Sequence, residues 1–154
     1  MAISPVKIVK KNSSVSFYSD GKRLRYRPSL DGVRTKYMTA KAIVKVGREQ
    51  AESELNFYRY FLKPKDRKYF PTLIRGSKKY GYVMQRRLNL HEPYPMKESH
   101  RKLVEKLIAR YQLHDDLCAD TYRNWCINKD TGMPVIYDIG FCGLTSEKNL
   151  RSFY

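Results

Sequence analysis

The alternation of apolar and polar positions divides the chain into strand-like and helix-like stretches. Short strand-like pieces at residues 6–9, 15–18 and 24–26 surround Ser19-Asp20-Gly21-Lys22, a hairpin signal because an Asp-Gly pair tolerates the positive φ of a tight loop. Residues 37–46 form a β-branched, apolar run that stops at Gly47, which predicts one central strand. From Arg48 the period lengthens. Ala51, Leu55, Tyr58 and Leu62 recur at helical spacing behind Glu52 and Glu54, predicting a helix that Pro64 ends.

Residues 70–74 and 80–85 predict two further strands joined across Gly76-Ser77-Lys78-Lys79, and residues 91–98, with Pro93 and Pro95, read as a linker. Ser99 is placed to cap a second helix that carries Leu103, Val104, Leu107, Ile108 and Tyr111 on one face and ends by Leu113. Trp125-Cys126-Ile127 and residues 133–137 flank Asn128-Lys129-Asp130-Thr131-Gly132, a second hairpin. The expected architecture is therefore a single α+β domain. Residues 1–85 supply an antiparallel sheet with one packed helix, residues 86–98 a hinge, and residues 99–154 a reduced, mainly helical part bearing the hairpin. A chain of 154 residues buries roughly two-thirds of its unfolded surface, enough for one core.

Charge changes the picture more than composition does. The formal net charge is +16, and residues 1–48 hold twelve Lys and Arg against only Asp20 and Asp31. Such a field attracts polyanions, so the expected partners of residues 1–48 are nucleic acid, nucleotide phosphates or an acidic protein. No apolar run approaches the roughly 20 residues that span a bilayer, and the first ten residues lack the apolar core of a secretory signal. Cys118, Cys126 and Cys142 are odd in number and at least eight residues apart, against a disulfide framework. His91, His100 and His114 lack zinc-site spacing. These features predict a cytoplasmic protein with no membrane partner.

Candidate chemistry lies in an ordered series: a strand ending in Lys45, a helix carrying Glu54, two strands, a linker, a long helix, a loop with His114, Asp115, Asp116, Asp120 and Asn124, a hairpin, and then Asp138-Ile139-Gly140-Phe141. Taken together over about residues 37–143, this resembles the protein kinase-like superfamily. Ala42-Ile43-Val44-Lys45 is similar to the kinase lysine strand. The resemblance implies ATP and Mg2+ as cofactors, with Lys45 on the nucleotide phosphates and an anchoring carboxylate, Glu54, on the next helix; Glu52 and Glu49 are the substitutes. It implies Asp138 and Asn124 as magnesium ligands, fourteen residues apart across a hairpin. The acceptor-orienting carboxylate is left open between Asp116, eight residues before Asn124, and Asp120, four before it. Lys45 is expected to be an exposed cleft lysine whose loss spares the fold.

Two features depart from the kinase pattern. No glycine-rich loop precedes Lys45, so phosphate cover falls to side chains such as Arg34 and Lys36 or to another backbone loop. The chain ends sixteen residues beyond Asp138, without room for an activation segment or a protein-substrate platform, an economy expected of a phage or mobile-element gene. The resemblance implies an ATP-dependent phosphotransferase of minimal size. The alternative is a pseudokinase or basic binding protein that engages an acidic partner or nucleic acid.

Overall fold

A computed structural model describes residues 6–12, 14–19, 21–24, 27–28, 35–113, 117–139 and 142–143. The chain divides into two compact units, residues 1–55 with 72–87 and residues 56–71 with 88–154. The architecture is mixed α+β, with antiparallel sheets throughout.

In the first unit, β1 (Lys7–Lys11), β2 (Ser14–Ser19) and β3 (Lys22–Arg23) form one sheet. Ser19 pairs with Lys22, and Gly21 has the φ of +75° that a tight hairpin turn uses; Asp20 lies outside the described residues. A second, five-stranded sheet has the order β4 (Arg27–Pro28), β5 (Thr35–Met38), β6 (Ala42–Val46), β8 (Tyr82–Arg86), β7 (Leu73–Ser77). Val6 and Phe17 join Ala42, Val44, Tyr82 and Met84 in one core between the two sheets. Helix α1 (Arg48–Asn56) covers the other face of the second sheet, where Ala51 and Leu55 meet Val83. Period-2 alternation in β6 thus sends Val44 toward one layer and Lys45 toward the other.

The single strand predicted over residues 37–46 is two strands. Thr39 breaks it: its Oγ1 accepts the backbone N–H of Ala42 at 3.0 Å and of Lys41 at 3.3 Å, a local turn that competes with the extended ladder. The predicted helix also stops short, at Asn56, and continues as one π turn over Phe57–Phe61, where the Leu62 N–H reaches the Phe57 carbonyl at 2.8 Å.

The β7–β8 loop explains a glycine. Gly81 has φ +67°, and a Cβ there would lie 3.0 Å from the Arg48 Cα at the start of α1. Gly21 has φ +75° with open space around it. Gly81→Ala should therefore cost about 1–2 kcal/mol for the left-handed backbone plus the contact, lowering Tm by roughly 2–8 °C. Gly21→Ala should lose less, and equal losses in thermal melts would remove the contact from the explanation.

The second unit is not mainly helical. Among the described residues it holds one long α-helix, α2 (Glu98–Tyr111), the π turn Phe57–Phe61, the 3-10 turn Pro64–Tyr69, and a three-stranded sheet of β11 (Pro134–Ile136), β10 (Trp125–Asn128) and β9 (Leu90–His91). The supposed linker thus begins with a strand, since Leu90 and His91 pair with Asn128 and Ile127. Ser99 does not cap α2; Lys97 takes that place, its carbonyl accepting the N–H of Arg101 at 3.1 Å, and Glu98 supplies negative charge to the first turn. Val104, Leu107 and Tyr111 pack with Phe57, Phe70, Trp125 and Ile136.

Candidate functional site

Lys45 and Glu54 meet in the first unit. Lys45 leaves β6 on the face that α1 covers, and Glu54 sits between Ala51 and Leu55 on the covered side of α1; Lys45 Nζ lies 3.3 Å from Glu54 Oε1. The two side chains are 4% and 1% exposed. Glu49 and Glu52, the substitute carboxylates, are exposed. Lys45 is therefore not the exposed lysine expected from sequence. Burial follows from strand parity: Val44 points to one core, so its neighbour enters the other layer beneath the helix.

Asn124 and Asp138 both lie in the second unit, just outside the two strands of the β10–β11 hairpin at its open end. Trp125 is paired with Ile136 at the open end of the β10–β11 hairpin, and the Tyr137 N–H donates to the Asn124 carbonyl at 3.2 Å. Asn124 thus stands opposite Tyr137, and Asp138 follows one residue later. Asn124 adopts φ +65°, a left-handed conformation that Asn accepts more readily than most residues. Both are half-buried. An amide oxygen and a carboxylate are the ligand types that a hard cation takes beside phosphate and water oxygens.

A further group on the same sheet has no local signal in the chain. Glu92, in the segment read as linker, is carried to the sheet by β9, where Cys126 Sγ donates to Glu92 Oε1 at 3.8 Å. Burial, then the Glu92 charge, pushes the Cys126 thiol up to about 11. Burial, then Cys126 and Glu92, pushes the Tyr137 phenol up to about 12. Near neutral pH neither group brings charge to the residue next to Asp138. Tyr122 donates to the Pro93 carbonyl at 2.7 Å and packs at a tilt against Trp125, fixing the same segment.

The loop candidates fare differently. Asp116, with His114 and Asp115, lies outside the described residues. Asp120 is 75% exposed and binds Arg101, which also holds Glu98 and Glu105. It belongs to a surface ion-pair cluster on the flank of α2. Arg34, a candidate phosphate cover, lies outside the described residues, and Lys36 pairs in register with Lys45 on the neighbouring strand.

Among the described residues no helix is long and apolar enough to cross a membrane. No known family profile and no curated protein matches the chain. A Legionella pneumophila kinase bound to IP6 is a solved structure to which the chain is similar, at 15% identity and a TM-score of 0.40. The match covers 97% of this chain and 66% of that one, a likeness too distant to carry residues or activity across.

Proposed function

We propose that the chain is a minimal, protein kinase-like phosphotransferase that uses ATP and Mg2+. Lys45, held by Glu54, binds nucleotide phosphates; Asn124 and Asp138 hold magnesium; Asp116 or Asp120 orients the acceptor hydroxyl. The observation that supports this most is the Lys45–Glu54 pair, 3.3 Å apart and buried on a strand–helix unit. A buried pair is seldom kept for stability, because apolar residues of similar volume serve as well or better. Joined to an Asn and an Asp at the mouth of one hairpin, in the chain order of the kinase-like series, it favours phosphate chemistry. Magnesium, when bound, would neutralise charge on the transferred phosphoryl group.

One observation favours a second reading, a pseudokinase or basic binding protein: Asp120 is engaged by Arg101 at the surface. The two readings part in the following experiment. Mg-ATP at 100 times its dissociation constant should stabilise the protein by about 2.7 kcal/mol, read as a rise in Tm of roughly 5–10 °C. Asp138→Asn should abolish the rise and reduce phosphoryl transfer by about a hundredfold or more. Asp116→Asn and Asp120→Asn should differ in transfer by about a hundredfold. A nucleotide-induced rise with equal, small effects from both loop variants leaves the pseudokinase; no rise at all removes nucleotide binding.

A further inference from the structure

The β1–β2–β3 sheet has an outer face that none of the kinase-like chemistry uses. Direct cross-strand partners share a face, and Lys7 pairs with Tyr18, which pairs with Arg23. One row across three strands therefore reads Lys7, Tyr18, Arg23. The next row is Val9 and Ser16, and Lys11 follows at the end of β1. The opposite face carries Ile8, Val15 and Phe17 into the core, so this row and its neighbours point away from it. Lys7, Val9, Lys11 and Arg23 are exposed and Tyr18 is half-buried. Val9, 40% exposed, leaves an apolar surface beside the tyrosine.

We infer that this face is a binding platform for single-stranded nucleic acid. Three observations select that occupant. The face has cations on both sides of an aromatic ring, separated by two strand spacings or roughly 10 Å, which suits a base on the ring with backbone phosphates to either side. Among the described residues, the three strands themselves carry no Asp or Glu. Its form is a sheet surface rather than a protruding helix, and an open sheet receives splayed bases where it would meet only the phosphates of a duplex. An acidic protein would be drawn by the same charge but would make no use of a flat aromatic between cations.

The test is fluorescence anisotropy of the full chain with labelled twenty-nucleotide oligo-dT and oligo-U, against a mixed-sequence duplex of equal length and a poly-glutamate competitor. Both single strands, or one of them, should bind at low salt, with the preferred sugar identifying RNA or DNA as the natural ligand. Tyr18→Ala should weaken binding roughly 5- to 100-fold, while Tyr18→Phe should keep it. Lys7→Ala with Arg23→Ala should lower the slope of log K against log salt by about 1.4, two phosphate contacts at about 0.7 each. Each variant's melting temperature should stay near that of the parent, since these side chains lie on the solvent face. Absence of single-strand binding at low salt, equal affinity for the duplex, or unchanged affinity of Tyr18→Ala overturns the platform. Displacement by poly-glutamate as effective as by unlabelled oligo-dT assigns the face to an acidic protein instead. None of these outcomes depends on ATP binding.

Discussion

Lys45→Met should lower the melting temperature on the order of 10 °C in the absence of any nucleotide. Both members of the Lys45–Glu54 pair are almost wholly withdrawn from water. Removing the ammonium leaves the Glu54 carboxylate facing a methionine inside the strand–helix layer, and breaking a buried pair from one side costs about 3–5 kcal/mol. For a chain of this length each kcal/mol moves Tm by roughly 2–4 °C. Glu54→Met should do comparable damage by stranding the lysine. The double variant Lys45→Met/Glu54→Met should recover most of the loss, because neither charge is then buried alone and the apolar chains fill the same space. Thermal melts of the four proteins check this. A single variant melting within about 2 °C of the parent would show that the pair is no structural element.

This result bears on how phosphoryl transfer is to be tested. A dead Lys45→Met protein would confound lost phosphate binding with lost packing. The double variant separates them, since it restores the layer without restoring a cation. Asp138→Asn, at a half-buried position beyond the end of β11, is the cleaner single change.

Element types were legible in the chain because burial imposes its period on the residues. The alternation over 42–46, the helical spacing of Ala51 and Leu55 and the stripe Val104, Leu107, Tyr111 all lead to buried faces. What was hidden came from hydrogen bonds that periodicity does not encode. Thr39 looks like any strand residue until its hydroxyl takes the Ala42 N–H. The π turn after Asn56 keeps Phe57 in the core while interrupting the α-helix, and nothing in Phe57-Tyr58-Arg59-Tyr60-Phe61 distinguishes it from continued helix. Strand β9 is two residues long and bounded by Pro93, so its composition read as linker.

The candidate site divides along the same line. Helical spacing does not separate Glu54 from Glu52, since each is one residue from one member of the buried pair Ala51 and Leu55 and three from the other; it is the structure that turns Glu54 inward and leaves Glu49 and Glu52 exposed. The placement of Asn124 opposite Tyr137, the residue before Asp138, follows from the turn at residues 129–133, which sets the hairpin register. Glu92 and Cys126 meet only through the pairing of β9 with β10, across 34 residues, which no local pattern reports.

The most deeply hidden feature is Asp66, in the charge-rich stretch Pro64-Lys65-Asp66-Arg67-Lys68, to which sequence reasoning assigns no element. It is 3% exposed. Its Oδ2 accepts the Tyr111 hydroxyl in a short hydrogen bond and the Arg110 guanidinium at 2.6 Å, and the Tyr111 oxygen in turn accepts the Lys63 N–H at 3.1 Å. The 3-10 turn is thereby tied to the end of α2, with the Tyr111 ring packed edge-on against Phe57 and Phe70. Burial alone would raise the Asp66 carboxyl, but the Tyr111 and Arg110 hydrogen bonds and the Arg110 charge outweigh it and hold it below its ordinary value. Because the folded value lies below the unfolded one, near 3.9, the ionised network contributes its full stability above about pH 5 and loses it as the pH falls through the folded value. Asp66→Asn keeps the shape and removes the charge. At pH 7 it should cost about 2–4 kcal/mol, the worth of one or two hydrogen bonds to a charged group, or on the order of 10 °C in Tm. The gap between parent and variant should narrow steadily below about pH 4, because the parent's own carboxyl then becomes neutral. Tyr111→Phe should reproduce part of the loss. Thermal melts of the three proteins between about pH 3 and pH 7 decide the matter: a gap that stays constant with pH would mean that packing around the turn, rather than the Asp66 charge, carries the stability.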